Sequence, residues 1–189
     1  MKGAMWAVHH AVARMQRPIG STIEDRLRLI EEERAVQDVL TRYTHFYDGG
    51  DVDGVMSVFH PECTLINPRG TYVGADAIRR NYTFLISLSK IVLHLAPNVI
   101  VRVSEGAEHA WMTAYYYSIA ADKEGMLIGT GGTYADELVK VDGSWRIIRR
   151  RITYNFRHTL VRAPAGEALP PPPTSKESSR DIVGPDWEM

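Results

Sequence analysis

Ser87-Leu88-Ser89-Lys90-Ile91-Val92-Leu93-His94-Leu95-Ala96 is where the chain changes character. Before Lys90 the apolar residues recur at three- and four-residue intervals, the period of a helix with one buried face. After it they crowd among β-branched and aromatic neighbours, as strand residues do. Segments 91–103, 107–121, 126–141 and 144–156 therefore read as strands. Ser104-Glu105-Gly106, Asp122-Lys123-Glu124-Gly125 and Val141-Asp142-Gly143 break them with turn residues, and Asp142-Gly143 suits a two-residue hairpin. Gly129, Gly131 and Gly132 fall within one strand and mark bend or bulge positions.

Upstream, residues 22–47 place Ile23, Leu27, Ile30, Val36, Val39, Leu40, Tyr43, Phe46 and Tyr47 at helical spacing. Ser21 or Thr22 can cap the start, Glu24 and Asp25 suit the positive end of the helix dipole, and Gly49-Gly50 stops the helix. Asp51 can cap a second, short helix carrying Val52, Val55, Met56, Val58 and Phe59. His60-Pro61 closes it, because the residue before proline avoids the α region. A short strand at 63–67 and a turn at Pro68-Arg69-Gly70 follow, with Thr71–Val73 returning as partner. Gly74-Ala75-Asp76 opens a third helix with Ile78, Tyr82, Leu85 and Ile86 on one face. Helices followed by consecutive strands argue an α+β domain, with helices on one face of a mostly antiparallel sheet. A strongly bent sheet under helices encloses a pocket.

The domain reads as residues 23–162. Residues 1–22 read as a flexible leader: their apolar stretch is too short for a signal peptide, and His9-His10 interrupts it. Residues 163–189 read as a Pro-rich tail in which Pro170–Pro173 cannot donate backbone hydrogen bonds. The 189 residues suffice for one core without metal or disulfide. With 22 basic and 23 acidic side chains the chain has no electrostatic footprint for nucleic acid or an acidic membrane. Its single cysteine, Cys63, excludes an intrachain disulfide and cysteine-rich zinc sites. The seven histidines form no His-x-x-x-His pair, so no metal is expected. No apolar run reaches the roughly 20 residues of a membrane span, and a cytoplasmic location is expected.

Three polar residues sit where apolar ones belong. His94 alternates with Val92 and Ala96 on an otherwise apolar face, and is either a structural histidine bonded to a backbone carbonyl or a functional one. Under strict alternation Arg146, Ile148, Arg150, Ile152, Tyr154 and Phe156 share one face of the last strand. If that face is inward, Arg150 is a buried cation needing a carboxylate or an anionic ligand. Otherwise Arg149–Arg151 is a solvated basic edge. Asp48 ends the long helix after Tyr43, Phe46 and Tyr47, and is either a turn aspartate or one half of an acid–base pair with His94. Spacing does not decide among these.

The chain resembles the SnoaL-like branch of the nuclear transport factor 2-like superfamily over about residues 24–160. The resemblance is carried by Arg42-Tyr43-Thr44-His45-Phe46-Tyr47-Asp48, Gly49-Gly50-Asp51-Val52-Asp53 and Phe59-His60-Pro61-Glu62-Cys63-Thr64-Leu65. It continues through Thr71-Tyr72-Val73-Gly74, Leu93-His94-Leu95, Gly131-Gly132-Thr133-Tyr134 and Asp142-Gly143-Ser144-Trp145-Arg146-Ile147. It implies a cone-shaped domain, three N-terminal helices packed on a strongly curved, mixed but mostly antiparallel sheet around a deep apolar pocket. The pattern is similar to scytalone dehydratase, bile-acid 7α-dehydratase and hexachlorocyclohexane dehydrochlorinase, in which an Asp–His pair moves protons during elimination.

By that resemblance Asp48 and His94 are the catalytic pair, Tyr43 a hydrogen-bond donor, and Arg150 a stabiliser of negative charge or a partner of Asp48. Substrate would meet Met56, Phe59, Leu65, Tyr82, Leu85, Met112, Tyr116, Ile128, Tyr154 and Phe156. The implied activity is that of a cofactor-free lyase (dehydratase-like) or isomerase acting on an apolar polycyclic or carbonyl small molecule. The alternative is a non-catalytic small-molecule binding module, or a small subunit of a larger enzyme. A homo-oligomer is implied, trimer first and dimer second.

Overall fold

The computed structural model describes residues 11–161. After a helical turn at residues 11–14 come α1 (Ile23–Asp48), α2 (Val52–Ser57), β1 (Phe59–Asn67), β2 (Gly70–Val73) and α3 (Ala75–Ser87). The strands β3 (Ser89–Leu95), β4 (Ile100–Val103), β5 (His109–Asp122), β6 (Leu127–Val141) and β7 (Ser144–Val161) follow. The expected change at Lys90 is thus the change from helices to sheet. The 91–103 segment differs from its expectation: it is two strands, parted at Pro97-Asn98, where Asn98 takes a φ of 59° that no strand residue adopts. β1 also starts at Phe59, so His60-Pro61 belongs to its first turn of extended chain and not to a helix end.

α1 starts as its sequence dictates. The Thr22 hydroxyl accepts from the Asp25 N–H at 3.0 Å, and the Asp25 carboxylate accepts from the Thr22 N–H at 3.3 Å. Its buried stripe is Leu29, Val36, Val39, Leu40 and Tyr43, whereas Ile23, Leu27 and Ile30 stay exposed because they lie off that stripe, on another side of the helix. Gly50, at φ 73°, reverses the chain, and the Asp51 carboxylate caps α2 by accepting from the Gly54 N–H at 2.8 Å.

The sheet runs β2-β1-β7-β6-β5-β3, and β4 pairs with β5 beyond β3. β1 and β7 are parallel and the other pairs antiparallel, so the sheet is mixed, curved and open. Helices cover its concave face. Tyr43, Val55, Ile78 and Tyr82 from the helices meet Leu65, Met112, Leu138 and Ile147 from the sheet in one core. Each fully buried aliphatic side chain among these contributes about 1.5–3 kcal/mol of transfer free energy.

β7 departs from strict alternation. Its register against β6 shifts between Glu137 and Leu138, and again between Gly131 and Gly132. Each bulge inserts one residue and moves the following side chains to the other face. Trp145 and Ile147 therefore point inward before the first bulge, and Arg150, Ile152 and Tyr154 line the inner side after it; Phe156 emerges outside after the second. The expected grouping of Ile148, Arg150 and Phe156 on one face is corrected accordingly. Gly132 makes the second bulge feasible, since a Cβ there would overlap the Thr153 carbonyl oxygen.

The described residues before α1 make contacts with the domain. Val12 is buried, Arg17 pairs with Glu33 at 2.6 Å, and Arg102 Nε donates to the Met15 carbonyl at 2.8 Å. Residues 1–10 and the expected tail at 163–189 lie outside the described residues. No helix among the described residues is long and apolar enough to cross a membrane.

Candidate functional site

The C-terminal end of α1 delivers Asp48 to the side of β3, an edge strand whose His94 has its backbone N–H on the open side. The Asp48 Oδ2 accepts that N–H at 2.8 Å, and Oδ1 meets His94 Nδ1 at 2.5 Å. One carboxylate thus fixes both the backbone and the ring of one residue. A carboxylate against Nδ1 dictates that this nitrogen carries the proton, leaving Nε2 as the basic one. Nε2 has no hydrogen-bond partner among the described residues. The ring is further held by the edge of Tyr47, with centroids 4.9 Å apart at 79°. Asp48 stands behind the imidazole, and His94, with its side chain only 8% exposed, lines a cavity.

That cavity has a volume of about 380 Å³, within the range of small-molecule sites. Its most distinctive wall is made of phenols: Tyr43, Tyr47, Tyr82, Tyr116, Tyr134 and Tyr154. Burial pushes all six above the ordinary tyrosine value, so each stays a neutral donor over the physiological range. Leu85, Val92, Ala120, Ile128 and Ile152 supply the aliphatic wall, and Ser118 and Thr130 add hydroxyls. The more exposed part of the lining carries Arg69, Asp122 and Arg157, and Asn67 is buried. A wider and shallower groove of about 1290 Å³ lies between α1 and β4, lined by charged groups such as Arg17, Glu33, Arg34 and Arg102. It contains neither member of the Asp–His pair and offers little apolar enclosure.

The expected site residues sort by position. Tyr43, Tyr82, Leu85, His94, Tyr116, Ile128 and Tyr154 line the cavity, with Asp48 behind His94. Tyr43 sits in an aromatic cluster, edge-on to Phe59, Tyr82 and Tyr134 at 5.8–6.2 Å. Phe59, Leu65 and Met112 lie in the core beneath the floor, and Met56 packs on that core rather than on the cavity wall. Phe156 is 53% exposed on the outer face, where the second β7 bulge puts it.

Arg150 is also corrected. It does not pair with Asp48 and does not line the cavity. It is fully buried and donates Nε and Nη2 to the two oxygens of Asp136, at 2.8 and 2.6 Å. Its guanidinium lies 4.1 Å from the Tyr43 ring centroid and 5.0 Å from that of Tyr134. Burial opposes the charge, but the Asp136 carboxylate outweighs it and holds the guanidinium pKa well above its ordinary value. The positive charge in turn lowers the Tyr43 phenol, against the larger upward effect of burial.

Asp136 escaped the sequence reading, as did Tyr47, Tyr134, Arg69 and Arg157. Asp136 had a signal: it alternates with Tyr134 and Leu138 on an apolar face, opposite the Arg149–Arg151 run across the Asp142-Gly143 hairpin. The bulge selects Arg150 as its partner.

Comparison with known proteins agrees with this architecture. The family model for the SnoaL-like domain matches residues 28–151. A Novosphingobium aromaticivorans structure provisionally named scytalone dehydratase is 25% identical, covering 78% of this chain and 100% of that one with a TM-score of 0.65. A second structure from that organism, provisionally named an aromatic ring hydroxylase, is 25% identical over 69% of this chain and 94% of its own, with a TM-score of 0.64. A hexachlorocyclohexane dehydrochlorinase (LinA) type 2 is 20% identical over 77% and 100%, with a TM-score of 0.65, and shares the fold. A nuclear transport factor 2-like protein of Salmonella enterica, at 18% identity and a TM-score of 0.60 over 74% and 98%, shares it too. No curated protein sequence matches significantly. With its helices laid on the concave side of an open mixed sheet and the family model spanning most of that unit, the chain belongs to the SnoaL-like domain family, of the nuclear transport factor 2-like fold.

Proposed function

We propose that this protein is a cofactor-free lyase or isomerase that moves a proton on an apolar carbonyl-bearing small molecule. The observation that carries the reading is the Asp48–His94 pair, with His94 Nδ1 2.5 Å from the Asp48 Oδ1 and the ring on the wall of a phenol-lined cavity. His94 Nε2 takes a proton from the carbon next to the carbonyl, and the C–H electron pair moves into an enolate. The imidazolium so formed is stabilised by Asp48. A neutral phenol, Tyr43 first, donates to the developing oxyanion. In elimination the electron pair then expels the leaving group, which takes the proton from His94. In isomerisation His94 returns the proton to another carbon. The 25% identical relative provisionally named scytalone dehydratase supports the elimination branch. A cytoplasmic site of action belongs to the same proposal.

The test reads proton abstraction directly. Exchange of α-hydrogens for deuterium, followed by NMR over a panel of cyclic ketones, is expected with the wild-type protein. It should fall by about 10²–10⁴ in His94→Gln, the usual contribution of a general base. Equal exchange in both proteins would defeat the assignment.

A second reading, a binding module or subunit, draws on one feature. Ile91, Leu93, Leu95, Tyr115 and Phe156 are 39–55% exposed on the outer sheet face. An apolar face of this kind marks an association surface. It is equally served by a homo-oligomer, with a trimer favoured over a dimer, and light scattering on the purified chain separates self-association from a monomer awaiting a different partner.

A further inference from the structure

The cavity mouth holds two cations that proton transfer at His94 leaves unused. Arg69 lies in the turn between β1 and β2, and Arg157 lies on β7; both line the cavity that His94 lines. The register brings them to one rim. β1 runs parallel to β7 with Ile66 opposite Arg151, so the turn after Asn67 lies at the level of Ile152–Tyr154. Asn67 fixes that turn by accepting the Arg69 N–H at 2.8 Å. The Tyr154 phenol, raised by burial, is drawn back down by both charges.

Neither arginine has a carboxylate partner among the described residues. The Arg69 guanidinium rests 4.7 Å from the Phe84 ring centroid, which orients it without neutralising it. Asp122, the carboxylate on the same wall, accepts the N–H groups of Glu124 and Met126, at 2.9 Å each, and so holds the β5–β6 turn. Two unneutralised guanidinium groups at the mouth of an apolar, phenol-lined cavity match a bipolar ligand.

We propose that the cavity takes a small molecule with an apolar ring body and one anionic group. The body lies among the tyrosines beside His94, and the carboxylate, sulfonate or phosphate lies at the rim by Arg69 and Arg157. This deepens the reading of the cavity as a substrate site, but it is tested by binding alone, so it stands or falls separately from proton transfer.

Two dyes sharing one ring body make the test. 8-Anilinonaphthalene-1-sulfonate carries a sulfonate, and N-phenyl-1-naphthylamine lacks it. Fluorescence titration of the full chain should give the sulfonate a Kd at least threefold lower. Arg69→Gln and Arg157→Gln should each weaken the sulfonate by about threefold, within the range for partly exposed charge pairs, with the uncharged dye unaffected. The double variant should abolish the preference, and raised salt should shrink it in the wild type. Circular dichroism checks that both variants remain folded, as expected for exposed positions. His94→Gln should keep the preference even while it loses proton transfer, which separates the two readings. No binding of the sulfonate by the wild type, equal affinities for the two dyes, or a preference that survives in the double variant would each overturn the proposal.

Discussion

Asp136→Asn isolates the most buried charge interaction of the domain. Both partners, Asp136 and Arg150, have side chains at 0% exposure, and the carboxylate receives two bonds at 2.6 and 2.8 Å. Arg150 Nη1 is already without a hydrogen-bond partner, so the guanidinium has no second anion to fall back on. Its flat faces are occupied by Tyr43 and Tyr134, which cannot replace a full negative charge. Removing one partner of a buried pair typically destabilises by about 3–5 kcal/mol, because the other charge remains and stays desolvated. For a chain of this size that is a fall in Tm of roughly 6–20 °C. The double change Asp136→Leu with Arg150→Met removes both charges, and should recover to within about 2 kcal/mol of wild type, the stacking on Tyr43 being the main loss. Urea unfolding followed by circular dichroism at neutral pH measures all three. A loss below about 1 kcal/mol in Asp136→Asn, or a double variant less stable than the single, would refute the argument that the cost of the single change is that of a buried charge left without its partner.

Four further outcomes are expected. Asp48→Asn should reduce α-hydrogen exchange by about 10²-fold or more, because the amide leaves the imidazolium unpaired and the tautomer unspecified; an exchange rate equal to wild type would contradict that role. Gly132→Ala should destabilise by about 1–3 kcal/mol in the same urea assay, since its Cβ overlaps the Thr153 carbonyl and the Tyr116 ring. The buried tyrosines should make the fold alkali-sensitive. Their folded values lie above the ordinary value of 10, so their contribution is intact below pH 10 and is lost above it as the unfolded chain ionises. Absorbance at 295 nm should then rise together with unfolding, not before it. Cys63 is buried, and burial pushes its thiol up to about 12, so it should resist a thiol-directed disulfide reagent at neutral pH until urea unfolds the chain.

Local chemistry was legible wherever it acts over a few residues. The cap at Ser21-Thr22, the helix stop at Gly49-Gly50, the Asp51 cap and the Asp142-Gly143 hairpin are read from neighbours along the chain, and the structure has each of them, with Thr22 as the cap. The break at Pro97-Asn98 was also local, yet the β-branched run on either side masked it. The bulges of β7 were not legible, because a bulge is defined by the partner strand and leaves no period of its own. That one feature accounts for the misplacement of Phe156 and for the missed pairing of Asp136 with Arg150. The meeting of Asp48 and His94 joins the end of a helix to an edge strand 46 residues later, and only the family resemblance foresaw it.

Among the described strands β7 is the last in chain order, yet it lies in the middle of the sheet, between β1 and β6. Until it arrives, the β1–β2 hairpin has no route of hydrogen bonds to the β3–β6 portion. A ribosome-bound chain lacking β7 therefore carries two sheet fragments with unpaired edges, a state prone to wrong pairing between chains. Closure depends on a parallel match between segments about 85 positions apart, from Leu65 to Arg150, which places the slow step of folding after β7 has been made.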